Sequence, residues 1–131
     1  MTATKENNNA FLMHLSSFFG YVFPFGGIIA PLIFWEINKK DSKLLDATGK
    51  EVINFNLSYL LYTTILTVVI ASLAINVAID EISQISLFLL ISFAILVLLL
   101  VISKFVLIII AAVKSNQGGI YKYPVTINFI K

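Results

Sequence analysis

The sequence has no cysteine and no arginine, and few of its residues carry charge. Without cysteine, disulfides, thiol redox chemistry and thiolate metal sites are excluded. The nine basic residues are all lysine, which argues against nucleic acid or phosphate recognition because arginine forks do much of that work. Charged residues make up 12% of the chain, against roughly 25% in an ordinary soluble domain. A water-exposed surface of the usual kind is therefore not expected.

Apolar residues are abundant instead, at 59% of 131 residues. The longest run lies within residues 82–113, and residues 85–103 contain no charge at all. A run of about 18 or more such residues is typical of a transmembrane helix, because ~20 residues rising ~1.5 Å each cross a hydrocarbon core of ~30 Å. The sequence therefore predicts an all-α fold, a polytopic membrane helical bundle formed by one domain.

The N-terminal part of the chain is polar and then apolar with an interruption. Residues 1–9 are expected to form a flexible tail. Residues 10–37 are interrupted at Pro24 and the glycines after it, with Pro31 beyond, and both residue types disfavour helix. Either one kinked helix crosses the membrane, or the two halves fold back as a re-entrant hairpin, which we favour. A signal peptide is a third interpretation, but no small-residue cleavage site follows.

Charge is densest in residues 38–47, which we expect to be a cytoplasmic loop. Trp35 comes just before it, where an amphipathic ring suits the membrane interface. Thr48 and Glu51 fit the capping-box pattern before an apolar run, which predicts a helix over residues 48–79. Small and polar side chains recur along one face of that helix, and such faces allow close helix packing in lipid. These residues are Asn56, Thr63, Thr67, Ala71, Ala74 and Ala78.

The last third of the chain predicts a second long helix over residues 82–114 and a tail over residues 115–131. The intervening Asp80–Glu81 turn is short, so the two long helices should be antiparallel neighbours. Lys114 followed by Gly118 predicts a helix end with a glycine cap. In the tail, apolar and aromatic residues alternate, which favours an extended segment at the interface.

The distribution of lysine predicts the orientation. Lysines are frequent in residues 39–50 and 114–131 and absent from the Asp80–Glu81 turn. The positive-inside rule therefore places the charged loop and the C-terminus in the cytoplasm and the acidic turn outside. The side of the N-terminus depends on whether residues 10–37 span the membrane or fold back.

Polar residues inside apolar segments are the candidate functional residues: His14, Asn54, Asn56 and Lys104. His14 has no second histidine or cysteine to complete a metal site, so a structural hydrogen bond is the plainer interpretation. Lys104 either reaches the headgroups or pairs with Glu51 or Glu36. The asparagines either join helices or line a substrate path. No nucleophile, base and acid can be combined, so we predict no catalytic residue, metal or cofactor.

Four stretches resemble a known family. They are the His14-Leu-Ser-Ser motif, residues 20–35 around Pro-Phe-Gly-Gly, residues 49–56 and residues 121–131. In order and spacing they are similar to the small bacterial membrane proteins called Tic-twenty-like, a family of unknown function. Its name reflects a distant similarity to a subunit of the chloroplast inner-envelope protein import complex. The resemblance marks these signature or structural positions: Pro24, Pro31, Trp35, Thr48, Lys50, Glu51, Tyr123 and Pro124.

Two functions follow as expectations. The first is a non-enzymatic integral membrane protein of the bacterial inner membrane that serves as an accessory of a larger assembly, linked through the resemblance to protein translocation. The alternative is a pore or carrier for a small solute or ion, acting as a homo-oligomer. The expected partners are membrane lipid and other membrane protein subunits or further copies of the chain, with no nucleic acid.

Overall fold

The computed structural model describes residues 2–79 and 84–131. Within them lie four α-helices: α1 (Ala3–Leu15), α2 (Gly26–Asn38), α3 (Lys43–Ile79) and α4 (Gln84–Asn116). A 3₁₀ turn, Ser16–Tyr21, lies between α1 and α2. The described ranges contain no β-strand, so the predicted all-α class is confirmed. The predicted Asp80–Glu81 turn lies outside the described residues. The chain divides into two units, one of Met1–Ser58 with Phe105–Lys131 and one of Tyr59–Lys104.

The unit Tyr59–Lys104 is a pair of apolar helical segments. The full helices that contribute them are long and apolar enough to cross a membrane, with an 18-residue window of mean hydropathy 2.1 within Lys43–Ala78 and one of 3.3 within Gln84–Asn116. Neither is buried in its apolar window, as expected of helices whose solvent is lipid. Residues 59–79 and 84–103 are uncharged, and each stretch is about 30 Å long as a helix, the thickness of the hydrocarbon core.

Polar side chains in this unit find partners close by. A hydrogen bond between the Tyr59 and Ser103 hydroxyls, 3.0 Å apart, joins α3 to α4. Thr63 donates to the Tyr59 carbonyl at 2.7 Å, and Thr67 does the same to the Thr63 carbonyl. Hydroxyls satisfied within their own helix add little cost in lipid, where an unpaired polar group is expensive.

The predicted small-residue face of α3 is not the more buried one within this unit. Thr67, Ala71 and Ala74 are exposed, whereas Leu66 and Val69 are partly buried. Other large side chains of the segment, such as Ile65 and Val68, are exposed as well. The expected packing face is buried at Asn56 and partly buried at Thr63, but it is exposed from Thr67 onwards.

In the other unit, α1 and α2 lie side by side. The Asn9 side chain donates to the Asn38 amide oxygen at 3.1 Å, joining residues 29 positions apart. At the opposite end, a Cβ on Gly26 would collide with the Phe19 carbonyl, so the chain turns there only because residue 26 has no side chain. Phe25, just before α2, adopts the left-handed conformation at φ 62°. Within residues 10–37, α1 and α2 are separate helices with the 3₁₀ turn between them.

Three predicted boundaries differ from the structure. The N-terminal nine residues are not a free tail, because α1 begins at Ala3 and Glu6 contacts Ser42. Helix α3 begins at Lys43, five residues before the predicted capping box, which shortens the charged loop to residues 39–42. The Ser42 hydroxyl accepts the Leu44 and Leu45 N–H groups at 3.0 and 3.2 Å and acts as the N-cap. Thr48 is therefore inside the helix.

The end of α4 follows the glycine prediction. Gly118 has φ 85°, and its N–H donates to the Ser115 carbonyl at 3.0 Å. The Gly119 N–H reaches the Lys114 carbonyl at 3.4 Å. These two bonds are those of a Schellman motif with glycine at the left-handed position. The chain then leaves the helix and runs back along α3 as the C-terminal tail.

Candidate functional site

A buried polar network surrounds His14 in the unit that contains α1. The imidazole Nδ1 lies 2.8 Å from the Tyr123 hydroxyl, and Nε2 lies 2.8 Å from the Ser115 hydroxyl. His14 and Ser115 are fully buried and Tyr123 is 6% exposed. The Tyr123 ring also stacks on Phe55, with centroids 3.8 Å apart. One imidazole thus ties together α1, α3, the end of α4 and the tail.

The network is built for a neutral imidazole. Burial lowers the pKa of His14 from 6.5 to about 3, and burial raises the pKa of the Tyr123 hydroxyl well above its usual range. In its neutral form the ring offers one donor and one acceptor, which matches two hydroxyl neighbours. A serine beside a histidine is also the arrangement of an activated nucleophile. Here both side chains are enclosed, so a substrate cannot reach them.

Asn54 holds the C-terminal tail against α3. Its amide oxygen accepts the Phe129 and Ile130 N–H groups at 3.0 and 2.8 Å, and its amide nitrogen donates to the Ile130 carbonyl at 2.9 Å. One turn later, Ser58 accepts the Ile127 N–H at 2.8 Å. Asn54 is 3% exposed and Ser58 is fully buried. These two side chains satisfy tail backbone groups that form no regular ladder of their own.

Asn56 faces the turn between α1 and α2. Its amide nitrogen donates to the Ser17 hydroxyl and to the Val52 carbonyl, both at 2.8 Å. Its amide oxygen has no hydrogen-bond partner among the described residues and lies where a Cβ on Gly27 would come within 3.0 Å. Asn56 is 1% exposed. The residue therefore joins helices at a close backbone approach, as polar contacts between apolar helices do.

Lys104 lies at the edge of the Tyr59–Lys104 unit. Its ammonium nitrogen is 5.8 Å from the centroid of the Tyr59 ring, a distance at which a cation is attracted to an aromatic face. The position marks the end of the uncharged part of α4.

Among the signature positions, Trp35 has the most specific contacts. Its indole N–H donates to the Asp46 carboxylate at 3.1 Å, and Asp46 also pairs with Lys50 at 2.7 Å. The face of the ring leaves no room for a side chain on Gly49. Trp35 therefore fixes α2 against the first turns of α3.

The other signature positions have structural settings. Pro24 is in the turn before α2, whereas Pro31 is buried inside α2 rather than at a break. The Thr48 hydroxyl is buried and has no hydrogen-bond partner in the described part of the chain, so it does not form the predicted capping box with Glu51. Pro124 precedes Val125, which has φ 55°, a strained conformation for a β-branched residue.

The sequence identified one residue of each of these polar contacts, but not the residues that it bonds to. His14, Asn54 and Asn56 each prove to be buried hydrogen-bonding residues, but they form three separate contacts rather than one site. The partners Ser17, Ser58 and Ser115 were missed. Ser58 lies four residues after Asn54 and so on the same helix face, which is a signal that the sequence offered. Nothing local connects His14 to Ser115, 101 residues away.

Within residues 2–79 and 84–131, no group of three or more histidine, aspartate or glutamate side chains is placed to hold a metal ion. The comparisons with known proteins give one result. A family model described as the magnetosome magnetite crystal formation protein family (MamF/MmsF) matches residues 5–130. Neither the curated proteins nor the solved structures contain a match. The Tic-twenty-like assignment is therefore wrong, and the link to protein translocation loses its support.

Proposed function

Because this chain belongs to the magnetosome magnetite crystal formation protein family, we propose that it is a non-enzymatic accessory protein of magnetite crystal formation. It acts from within the membrane that encloses the growing crystal. The observation that carries the proposal is the family match, which extends over nearly the whole chain, from residue 5 to residue 130.

The membrane location is supported by the two long apolar helices. Core helices of soluble proteins are mostly buried, and signal sequences lie near the N-terminus. Here the apolar windows of α3 and α4 are unburied and both helices begin beyond residue 42. Large side chains such as Phe88, Ile85 and Val68 are 64–73% exposed. In water such a surface would aggregate, whereas in lipid it is the ordinary outer face of a span.

The non-enzymatic role is supported by the use of the polar residues. The side chains of His14, Asn54 and Asn56 form hydrogen bonds with other parts of the chain. All three side chains are buried, although Asn54 also forms part of the wall of a cleft beside the C-terminal tail. No observation favours the pore or carrier alternative, and we do not propose it.

The lysine distribution gives the orientation of the proposed accessory. The lysine-rich loop and tail face the cytoplasm, and the short connection that contains Asp80 and Glu81 faces the vesicle interior. The proposed partners are lipid and neighbouring membrane proteins.

Deletion of the gene in a magnetite-forming bacterium tests the proposal. Crystal length is measured by electron microscopy in the deletion strain and after complementation with wild type, His14→Gln or Lys104→Gln. We expect altered crystals in the deletion strain and recovery with all three, provided that immunoblots show equal protein in the membrane fraction. Unaltered crystals in the deletion strain would contradict a role in crystal formation. Failure of either variant at normal protein level would contradict the non-enzymatic assignment.

A further inference from the structure

A cleft of about 380 Å³ lies between the first turns of α3 and the C-terminal tail. On the α3 side it is lined by residues of successive turns, including Lys50, Glu51 and Asn54, and on the tail side by Lys122 and Lys131. The cleft is preformed, because Asn54 at its inner wall is held by three hydrogen bonds to the tail backbone. No residue of the His14 network lines it.

The charge inside the cleft is mostly positive. Among the side chains that line it, three are lysines and one, Glu51, carries a carboxylate. Lys50 is already paired with Asp46 at 2.7 Å, outside the cleft lining. Lys122 and Lys131 are exposed and form no ion pair with any other described residue. Two uncommitted ammonium groups at one opening favour an anion as the occupant.

The cleft lies at the level where lipid headgroups are expected. On α3, Lys50 and Glu51 are the last charged residues before an uncharged stretch from residue 52 to residue 79. On α4, exposed apolar side chains continue beyond Lys104 through Phe105, Ile109 and Val113, and the next charge is Lys114. Exposed apolar surface therefore extends along α4 as far as Lys114, and uncharged sequence extends along α3 as far as Glu51. The first charges at these helix ends mark the depth of the interface.

From this geometry we infer that the cleft binds the phosphate headgroup of an anionic phospholipid. Lys122 and Lys131 contact the phosphate, and Glu51 accepts a hydrogen bond from a headgroup hydroxyl, as in phosphatidylglycerol. The absence of arginine is consistent with this ligand, because lysine binds phosphate as a point charge and clustered lysines between membrane helices bind headgroups. The inference does not rest on the proposed role in magnetite formation.

Native mass spectrometry of the full chain in detergent tests the inference, with phosphatidylglycerol as the probe and phosphatidylcholine as the zwitterionic comparison. We expect K122Q/K131Q to retain phosphatidylglycerol about tenfold or more weakly than wild type, since each lysine near the surface contributes to headgroup binding. K5Q/K40Q removes the same charge from exposed sites outside the cleft and should bind as wild type. K122R/K131R should restore retention. Millimolar inorganic phosphate should not displace the lipid.

Acetylation of the wild-type protein gives an independent measurement that needs no variant to fold. Phosphatidylglycerol should protect Lys122 and Lys131 from the reagent, and leave Lys5 and Lys40 unprotected. Equal retention of both lipids, equal weakening in K5Q/K40Q, or protection of all four lysines would overturn the inference. Displacement by inorganic phosphate would assign the cleft to a free anion and would also overturn it.

Discussion

At the scale of single residues, the fold depends on polar side chains that are buried inside the protein, away from both water and lipid. His14 is the clearest case, because its ring is fully buried and each nitrogen has a hydroxyl neighbour at 2.8 Å. Such a group stabilises the fold only in the protonation state that its neighbours accept. The neutral imidazole is that state.

This predicts a pH dependence of stability. The folded pKa of His14 is about 3, below its usual 6.5, so the unfolded chain binds the extra proton first. The free energy of unfolding should be constant above pH 6.5 and fall towards pH 3 by up to ~1.4 kcal/mol per pH unit from this group. In His14→Gln, the part of this pH dependence that comes from the imidazole should be absent. The part that comes from the carboxylates should remain. Unfolding in detergent, followed by circular dichroism from pH 7 to pH 4, measures the difference. Parallel pH profiles for the two proteins would contradict it.

Gly49 is a second residue whose environment decides its identity. In a helix, alanine is favoured over glycine by about 1 kcal/mol. At Gly49, however, the added Cβ would overlap the Trp35 ring, and overpacking costs about 1–3 kcal/mol. Gly49→Ala should therefore destabilise the protein, and Gly49→Ala with Trp35→Leu should recover part of the loss. Gly119→Ala, where the new Cβ finds its nearest atom at 3.5 Å, is the control. A melting temperature raised by Gly49→Ala would contradict the close packing.

The sequence was informative about which residues are unusual and uninformative about what they contact. A lone histidine and paired asparagines in apolar segments are visible without a structure, and all three are buried. The contacts of His14 span 101 and 109 residues, and no local pattern encodes such distances. The Trp35–Gly49 contact was also missed, since a glycine at the start of an apolar run is more often a helix boundary signal.

At the scale of elements, the C-terminal tail is held by side chains rather than by a sheet or helix. Asn54→Ala would leave the Phe129 and Ile130 N–H groups without their acceptor, and an unmade buried bond costs about 1–3 kcal/mol. We expect amide hydrogen exchange of residues 127–131 to quicken in this variant, with exchange of α4 unchanged. Asn128→Ala, at an exposed tail position, should exchange as wild type. An unchanged tail in Asn54→Ala would show that other contacts hold it.

Helix ends were predictable where one signal stood alone. Gly118 follows Lys114 with no competing pattern, and the end of α4 is the predicted glycine cap. The start of α3 offered two candidates, Ser42 and Thr48. The capping-box pattern at Thr48 was the longer match, but Ser42 lies at the real helix start, since residues 43–47 are helical as well. A helix start at Ser42 and one at Thr48 both satisfy the local capping rules. The hydrogen bond from Trp35 to Asp46 favours the start at Ser42, because it holds Asp46 within the first turn of the helix.

At the scale of the whole molecule, hydropathy predicted the membrane class and the two long helices. The family could not be obtained in the same way, because the resemblance rested on short stretches whose residues serve packing. Trp35 is explained by its contact between α2 and α3, and Asn54 by its contacts with the tail backbone. Only the match over residues 5–130 distinguishes the magnetite formation family from the Tic-twenty-like proteins.

The central claim is that two spans cross the membrane and that the lysine-rich loop and tail share one face. Cysteine accessibility in intact cells of a bacterium that forms no magnetosomes tests it most directly, because the face that would line the vesicle is then exposed outside the inner membrane and the native chain has no cysteine. Suitable single sites are Thr4, Lys40, Glu81 and Gln117, which avoid the buried Ser115 and the crowded Gly26. With an impermeant thiol reagent we predict labelling at Glu81 alone before lysis and at all four sites after it. Labelling of Lys40 or Gln117 in intact cells, or protection of Glu81, would contradict the account.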